Sequence, residues 1–151
     1  MSSSDLTQVI EQYHQALNAF VKGDPEPGKK LFSRRDDVTL ANPFGPPARG
    51  WTQVEQTMER AASQLREGEP LRFERISNYA TADLAYILEI ERVRMKVGGA
   101  DEMAPVSLRV TTIFRREDGE WRIVHRHADP ITTTRPPESV LQQKTGFGLV
   151  Q

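Results

Sequence analysis

The sequence predicts an α+β fold, a curved antiparallel sheet with helices packed on one face. Three observations carry this. Apolar residues recur at spacings of three and four in two N-terminal stretches. After Pro70 the apolar pattern changes to period two and keeps that period to Ala128. Turn dipeptides, Gly98-Gly99 and Asp118-Gly119, punctuate the second part. Helices first and a run of strands afterwards is the order of an α+β domain.

Leu6, Val9, Ile10, Tyr13, Leu17, Phe20 and Val21 form the stripe of a first helix over 5–22. Asp5 starts it, with Gln8 three residues on, and Gly23 suits its exit. Asp24-Pro25 reads as the cap and first position of a short helix to about Phe32. Residues 37–42 alternate as a strand, and PFGPPARG after it must be a loop. Thr52 with Glu55 reads as a capping box opening a third helix, with Val54, Met58, Ala61, Ala62 and Leu65 as its stripe and Gly68 as its end. Strands are predicted over 71–79, 84–97, 107–117 and 121–128, the last two as a hairpin around Asp118-Gly119. One domain over 1–134 is expected, with a flexible tail over 135–151 that is rich in Ser, Gln and Gly.

With 151 residues the chain is long enough for one self-sufficient core. Its 20 Lys and Arg nearly balance 21 Asp and Glu, which argues against a nucleic-acid binder and gives no reason to expect an anionic membrane surface as partner. Cysteine is absent, so disulfide scaffolds, cysteine-based zinc sites and thiol catalysis are excluded. The start, MSSSDLTQ, lacks the basic and apolar regions of a signal peptide, and no apolar run approaches a membrane span; a cytoplasmic location is the expectation.

The stretch RVTTIFRREDGEWRIVHRHAD, residues 109–129, resembles the last two strands of the nuclear transport factor 2-like superfamily, and within it the SnoaL-like (polyketide-cyclase-like) and kinase association-domain branches. The features shared are a strand ending in basic residues, a D-G turn and W-x-x-x-H-x-H. The order of helices, NPFG loop and long hairpin fits the same group over about 5–130. The resemblance implies a cone-shaped, curved antiparallel sheet with three N-terminal helices on its concave face, a pocket between that face and the first helix, and homo-oligomers built through the sheet. It does not choose an activity, because the group spans isomerases, dehydratases, cyclases, epoxide hydrolases and assembly domains.

Side chains at i, i+2 and i+4 of a strand share a face. Trp121, Ile123, His125, His127 and Asp129 have one parity, and Arg122, Val124, Arg126 and Ala128 the other. Arginines favour water, so the histidine face is assigned to the interior. His127 and His125 are then the candidate general acid and base, since imidazole titrates nearest neutrality; the alternative is that both are hydrogen-bonded structural residues. His125, His127 and Asp129 also invite a metal reading, but a stable site needs at least three well-placed ligands and an ordered second shell, and the only other histidine, His14, lies off the apolar stripe of its helix. No metal and no cofactor are expected.

Leu84, Tyr86, Leu88 and Ile90 are assigned inward, with Glu89 and Glu91 outward; Leu108, Val110, Thr112 and Phe114 are also assigned inward. The expected pocket is therefore mainly apolar, with Tyr86 and Thr112 as polar tips, and suits a small hydrophobic molecule. Tyr13 and Leu17 of the first helix and Asn42, Phe44, Arg49 and Trp51 of the NPFGPPARGW segment lie across its mouth. Asn42 reads as a carbonyl-orienting group or a loop cap, Arg49 as a carboxylate ligand or a solvated residue, and Trp51 as packing. The aspartate-based sites of the ketosteroid isomerases that the fold resembles have no inward carboxylate to match them in these phases.

Two function classes follow. One is a cofactor-free isomerase, cyclase or dehydratase acting on a small hydrophobic metabolite. The other is a non-enzymatic ligand-binding or assembly domain. A homodimer is expected through the outer sheet face, formed by Ala85, Ile87, Val93, Thr111, Ile113 and Val124, with Glu89, Glu91 and the arginines of the last two strands at its rim.

Overall fold

A computed structural model of the chain describes residues 3–142, 144–145 and 148–149. Helix α1 spans Ser3–Phe20, and Gly23 leaves it at a φ of +99°, which favours glycine. Helix α2 is a single turn, Glu26–Lys29, shorter than predicted; the Asp24 carboxylate accepts from the Glu26 amide at 3.0 Å. Helix α3, Trp51–Ala62, begins one residue before the predicted cap. Gly50 is its N-cap, with φ +82°, so Thr52 lies inside the helix and the capping box does not form. The buried Lys29 ammonium ties α2 to α3, meeting Glu26 at 2.9 Å, Glu55 at 3.5 Å and Glu59.

Apart from a two-residue pairing of Lys144–Thr145 with Gly148–Leu149, the strands are β1 (Thr39–Ala41), β2 (Ala48–Arg49), β3 (Leu65–Arg66), β4 (Arg72–Ala80), β5 (Leu84–Val97), β6 (Ala104–Glu117) and β7 (Glu120–Asp129). They form one curled sheet in the order β2-β1-β7-β6-β5-β3, with β4 also on β5. The sheet is mixed rather than antiparallel throughout, because β1 runs parallel to β7. The two-residue strands β2 and β3 fall in segments predicted as loop and helix end; too short to show a period, they are fixed by their partners β1 and β5. The β6–β7 turn has positive φ at both Asp118 (51°) and Gly119 (84°), the pairing that matches strand twist in a hairpin.

Two extra residues set the faces of the sheet. Phe114 pairs with Ile123, but Ile113 pairs with His125, so Val124 is a β-bulge in β7. Trp121 and Ile123 before it are buried, as are Ala128 and most of the Arg126 side chain after it. His125, His127 and Asp129 therefore lie on the outer face, opposite to the face that strict alternation assigns. Ile76 is a second such residue, in β4.

Strand β5 is also reversed from expectation. Ala85, Ile87, Glu89, Glu91, Val93 and Met95 are buried, and Leu84, Tyr86, Leu88 and Ile90 face outward. Two inward glutamates made the buried parity look like the polar one. Strand β6 keeps its predicted phase, with Val110, Thr112 and Phe114 buried. The main core joins Tyr13, Leu17, Phe32, Leu40, Val54, Met58, Ile87, Phe114 and Ile123 across α1, α3 and the inner sheet face. No helix of the described residues is long and apolar enough to cross a membrane. Of the expected tail over 135–151, residues 137–140 form one 3-10 turn without a buried residue; its last residues lie partly outside the described ones.

Candidate functional site

A cavity of about 290 Å³ opens between α1, the loop after β1 and the inner faces of β5–β7. Its walls are apolar almost throughout: Ala16, Leu17 and Phe20 from α1, Val93 and Met95 from β5, Leu108 from β6 and Ala128 from β7. This is at the small end of the roughly 300–1,000 Å³ usual for ligand pockets.

One cluster supplies its polarity. Arg126 donates from Nη1 to Glu91 Oε2 at 2.8 Å and from Nη2 to Glu91 Oε1 at 3.0 Å. Arg126 Nη1 also donates to the Tyr13 hydroxyl, which bonds Thr112 Oγ1 at 2.8 Å. Tyr13, Glu91 and Arg126 all line the cavity. Burial, helped by Glu91, raises the Tyr13 pKa although Arg126 and Thr112 pull the other way, so the phenol stays protonated. Burial works against the Arg126 charge, but Glu91 and Tyr13 outweigh it and raise its pKa. The pair is thus a neutralised ion pair inside an apolar wall.

A second network lies beside it. Glu89, next on the inner face of β5, accepts from His14 Nε2 and from Arg75 Nε, both at 2.8 Å. The His14 ring stacks on Phe73 at 3.7 Å. Burial pushes the Glu89 pKa up, yet the His14 and Arg75 hydrogen bonds win and hold it below the ordinary value. Consecutive residues of α1, Tyr13 and His14, therefore dock onto two separate buried ion-pair networks of the sheet.

Of the residues expected around a pocket, Tyr13, Leu17, Asn42 and Phe44 line this cavity. Thr112 reaches it through Tyr13, and Phe114 is buried beneath, edge-on to the Tyr13 ring at 6.0 Å. Asn42 Oδ1 accepts from the Phe44 amide at 2.9 Å and so acts as the loop cap. The other expected residues lie elsewhere. Arg49 donates to the Asp36 carbonyl at 3.3 Å, and Trp51 lies under Arg34, 3.7 Å from its ring centroid. Tyr86 and Leu88 are on the outer face, and Asp129 pairs with Arg109 at 2.8 Å. His125 Nδ1 bonds Thr39 Oγ1 at 2.7 Å, and its pKa is lowered by burial and by His127. His127 is 53% exposed and 3.4 Å from Asp129. Neither histidine lines the cavity, because the Val124 bulge turns both outward. Sequence reasoning placed Glu91 and Arg126 on one face, where opposite charges can meet, but on the outer one, and so missed both as cavity residues.

A curled mixed sheet whose inner face and first helix enclose an apolar cavity defines the nuclear transport factor 2-like cone fold. The profile of the SnoaL-like domain matches residues 6–132, and the chain belongs to that family. A nuclear transport factor 2-like superfamily protein from Salmonella enterica superimposes with a TM-score of 0.74 at 20% identity, over 89% of this chain and 94% of that one. A ketosteroid isomerase-like protein from Erwinia carotovora gives 0.71 at 15% identity, over 86% and 96%. A Nostoc punctiforme domain with a cystatin-like fold gives 0.68 at 17% identity, over 88% and 81%. At these identities the likeness is one of fold. No functionally curated protein matches the chain.

Proposed function

We propose that the chain binds a small, mostly apolar molecule in the cone, with one neutral hydrogen-bond acceptor turned toward Tyr13 and Arg126. The observation that carries this is the pairing of an apolar cavity with a single, internally neutralised polar cluster. Glu91 already cancels the Arg126 charge, so an anion would either add a second buried negative charge beside Glu91 or displace it and leave that carboxylate unpaired, at about 3–5 kcal/mol for a broken buried pair. A carbonyl or hydroxyl needs no displacement. Three of the guanidinium N–H groups are taken by Tyr13 and Glu91, which leaves two as donors. This is a binding reading, and a base in the cone would have to be Glu91, whose two oxygens Arg126 already holds.

Calorimetric titration with α-tetralone and with tetralin, which lacks the carbonyl, tests it. The expected result is binding of both, tighter for the ketone, and loss of both in Leu108→Trp, which fills the cavity from a partly exposed wall position. Binding of neither to the wild type, or unchanged binding to the filled variant, overturns it.

We further infer a homodimer through the outer sheet face. Its support is the run of apolar side chains that the inner face does not use: Tyr79 at 61% exposure, Leu84 at 49% and Tyr86 at 37%, beside Leu88, Ile90 and Ile113. Ala85, Ile87 and Val93, expected on this face, are in the core instead.

A further inference from the structure

We propose that the ligand is an amphiphile, whose apolar body fills the cone and whose carboxylate is held at Arg60 in a second cavity at the cone's mouth. The inference rests on the cone being the binding site. The second cavity, about 420 Å³, lies between α3, the loop after β1 and the end of β5. It adjoins the first: Asn42, Phe44, Ala61 and Val97 line both. A molecule longer than the cone therefore meets this space where it leaves the apolar walls.

The two cavities differ in kind. The cone contains an arginine whose charge Glu91 cancels. In the second cavity Arg60 is the only charged residue among those lining it, no lining residue is acidic, and Arg60 forms no ion pair among the described residues. Thr57, Arg60, Ala61 and Gln64 follow one another at spacings of three, one and three, which puts them on one side of α3 and its continuation. Gln64 adds a side-chain amide to the same cavity, and its backbone carbonyl accepts from the Gly98 amide at 2.7 Å, which pins the end of β5 to this corner. A carboxylate meets a guanidinium fork with two parallel hydrogen bonds, and its single charge matches the one arginine here. Arg60 is exposed, so a carboxylate there keeps part of its hydration, whereas Arg126 is largely buried. Two arginines, one compensated and one not, thus divide the ligand into a neutral inner part and an anionic outer end.

The test uses the whole chain and two probes of equal chain length, decanoate and decanol, titrated calorimetrically into the wild type and Arg60→Gln. The expected result is a preference for decanoate of about five- to tenfold, since an exposed pair contributes modestly. Arg60→Gln removes that preference without changing decanol affinity. Added salt weakens decanoate and spares decanol. Equal affinities in the wild type, or a preference that survives Arg60→Gln, overturn the amphiphile while decanol binding leaves the cone reading standing. Binding of α-tetralone but of neither chain probe does the same. If α-tetralone also fails to bind, both readings fall.

Discussion

Arg126 of β7 reaches over β6 to grip Glu91 of β5, with Nη1 and Nη2 at 2.8 and 3.0 Å from its two carboxylate oxygens. The register places Thr112 beside Arg126 and Leu108 beside Glu91, so the pair clamps three strands from inside the cone. Removing one partner strands the other charge in an apolar wall. Glu91→Gln and Arg126→Met are each expected to cost about 3–5 kcal/mol, and the double variant Glu91→Leu/Arg126→Met to recover much of the loss. Urea unfolding of the singles and the double measures it; additive losses would show that the two groups do not act as a pair.

Glu89 makes the fold acid-sensitive. Its pKa is held below the ordinary 4.5 by His14 and Arg75 against the pull of burial. A carboxylate with a depressed folded pKa stabilises above its unfolded value, and that stability disappears as pH falls through the folded one. Unfolding free energy should therefore decline as pH drops below about 4.5, and Glu89→Gln should flatten that decline while costing about 1.5–3 kcal/mol at neutral pH for the lost charged hydrogen bonds. Denaturation at a series of pH values reads both; an acid limb equally steep in the variant assigns the effect to other carboxylates.

Gly68 donates its amide to the Val21 carbonyl at 3.0 Å, after α3 and β3. A Cβ at this position would lie 2.3 Å from Val21 Cγ2 and 2.7 Å from the Val21 carbonyl oxygen. Backbone cannot yield as a flexible side chain can. Gly68→Ala should destabilise by about 1–3 kcal/mol, the usual cost of overpacking. A melting temperature equal to the wild type's would mean that the segment shifts freely.

His127 is expected to be dispensable for ligand binding. It is half exposed on the outer face. His127→Ala should bind α-tetralone as the wild type does and change stability by no more than about 0.5 kcal/mol, as surface substitutions usually do. A large loss of affinity would place the histidine in the binding site after all.

The proposed dimer is checked by light scattering. Ile113→Glu and Tyr86→Lys each set a charge in the apolar centre of the outer face and should halve the mass of the wild type. A monomeric wild type, or variants that keep its mass, moves or removes the interface.

Residue pattern alone determined a good deal of this protein. The period of three and four predicted α1 and α3, the alternation after Pro70 predicted β4 to β7, and Asp118-Gly119 predicted the hairpin turn, because each depends on neighbours a few residues away. The W-x-x-x-H-x-H stretch pointed to the family. Tyr13, Leu17, Asn42 and Phe44 were legible as cavity residues because they lie on a clear helix stripe or just past a strand end. The faces of β5 and of the second half of β7 were not legible. One extra residue, Val124, reverses every side chain after it, and nothing in IVHRH marks it. Glu89 and Glu91 look like solvent residues until His14, Arg75 and Arg126 are brought against them from α1, β4 and β7. Those partners are distant in the chain, and a buried charge is tolerable only where such partners meet it. Tertiary packing therefore chose which arginine and which carboxylate face the cavity, and turned the two histidines to the outside.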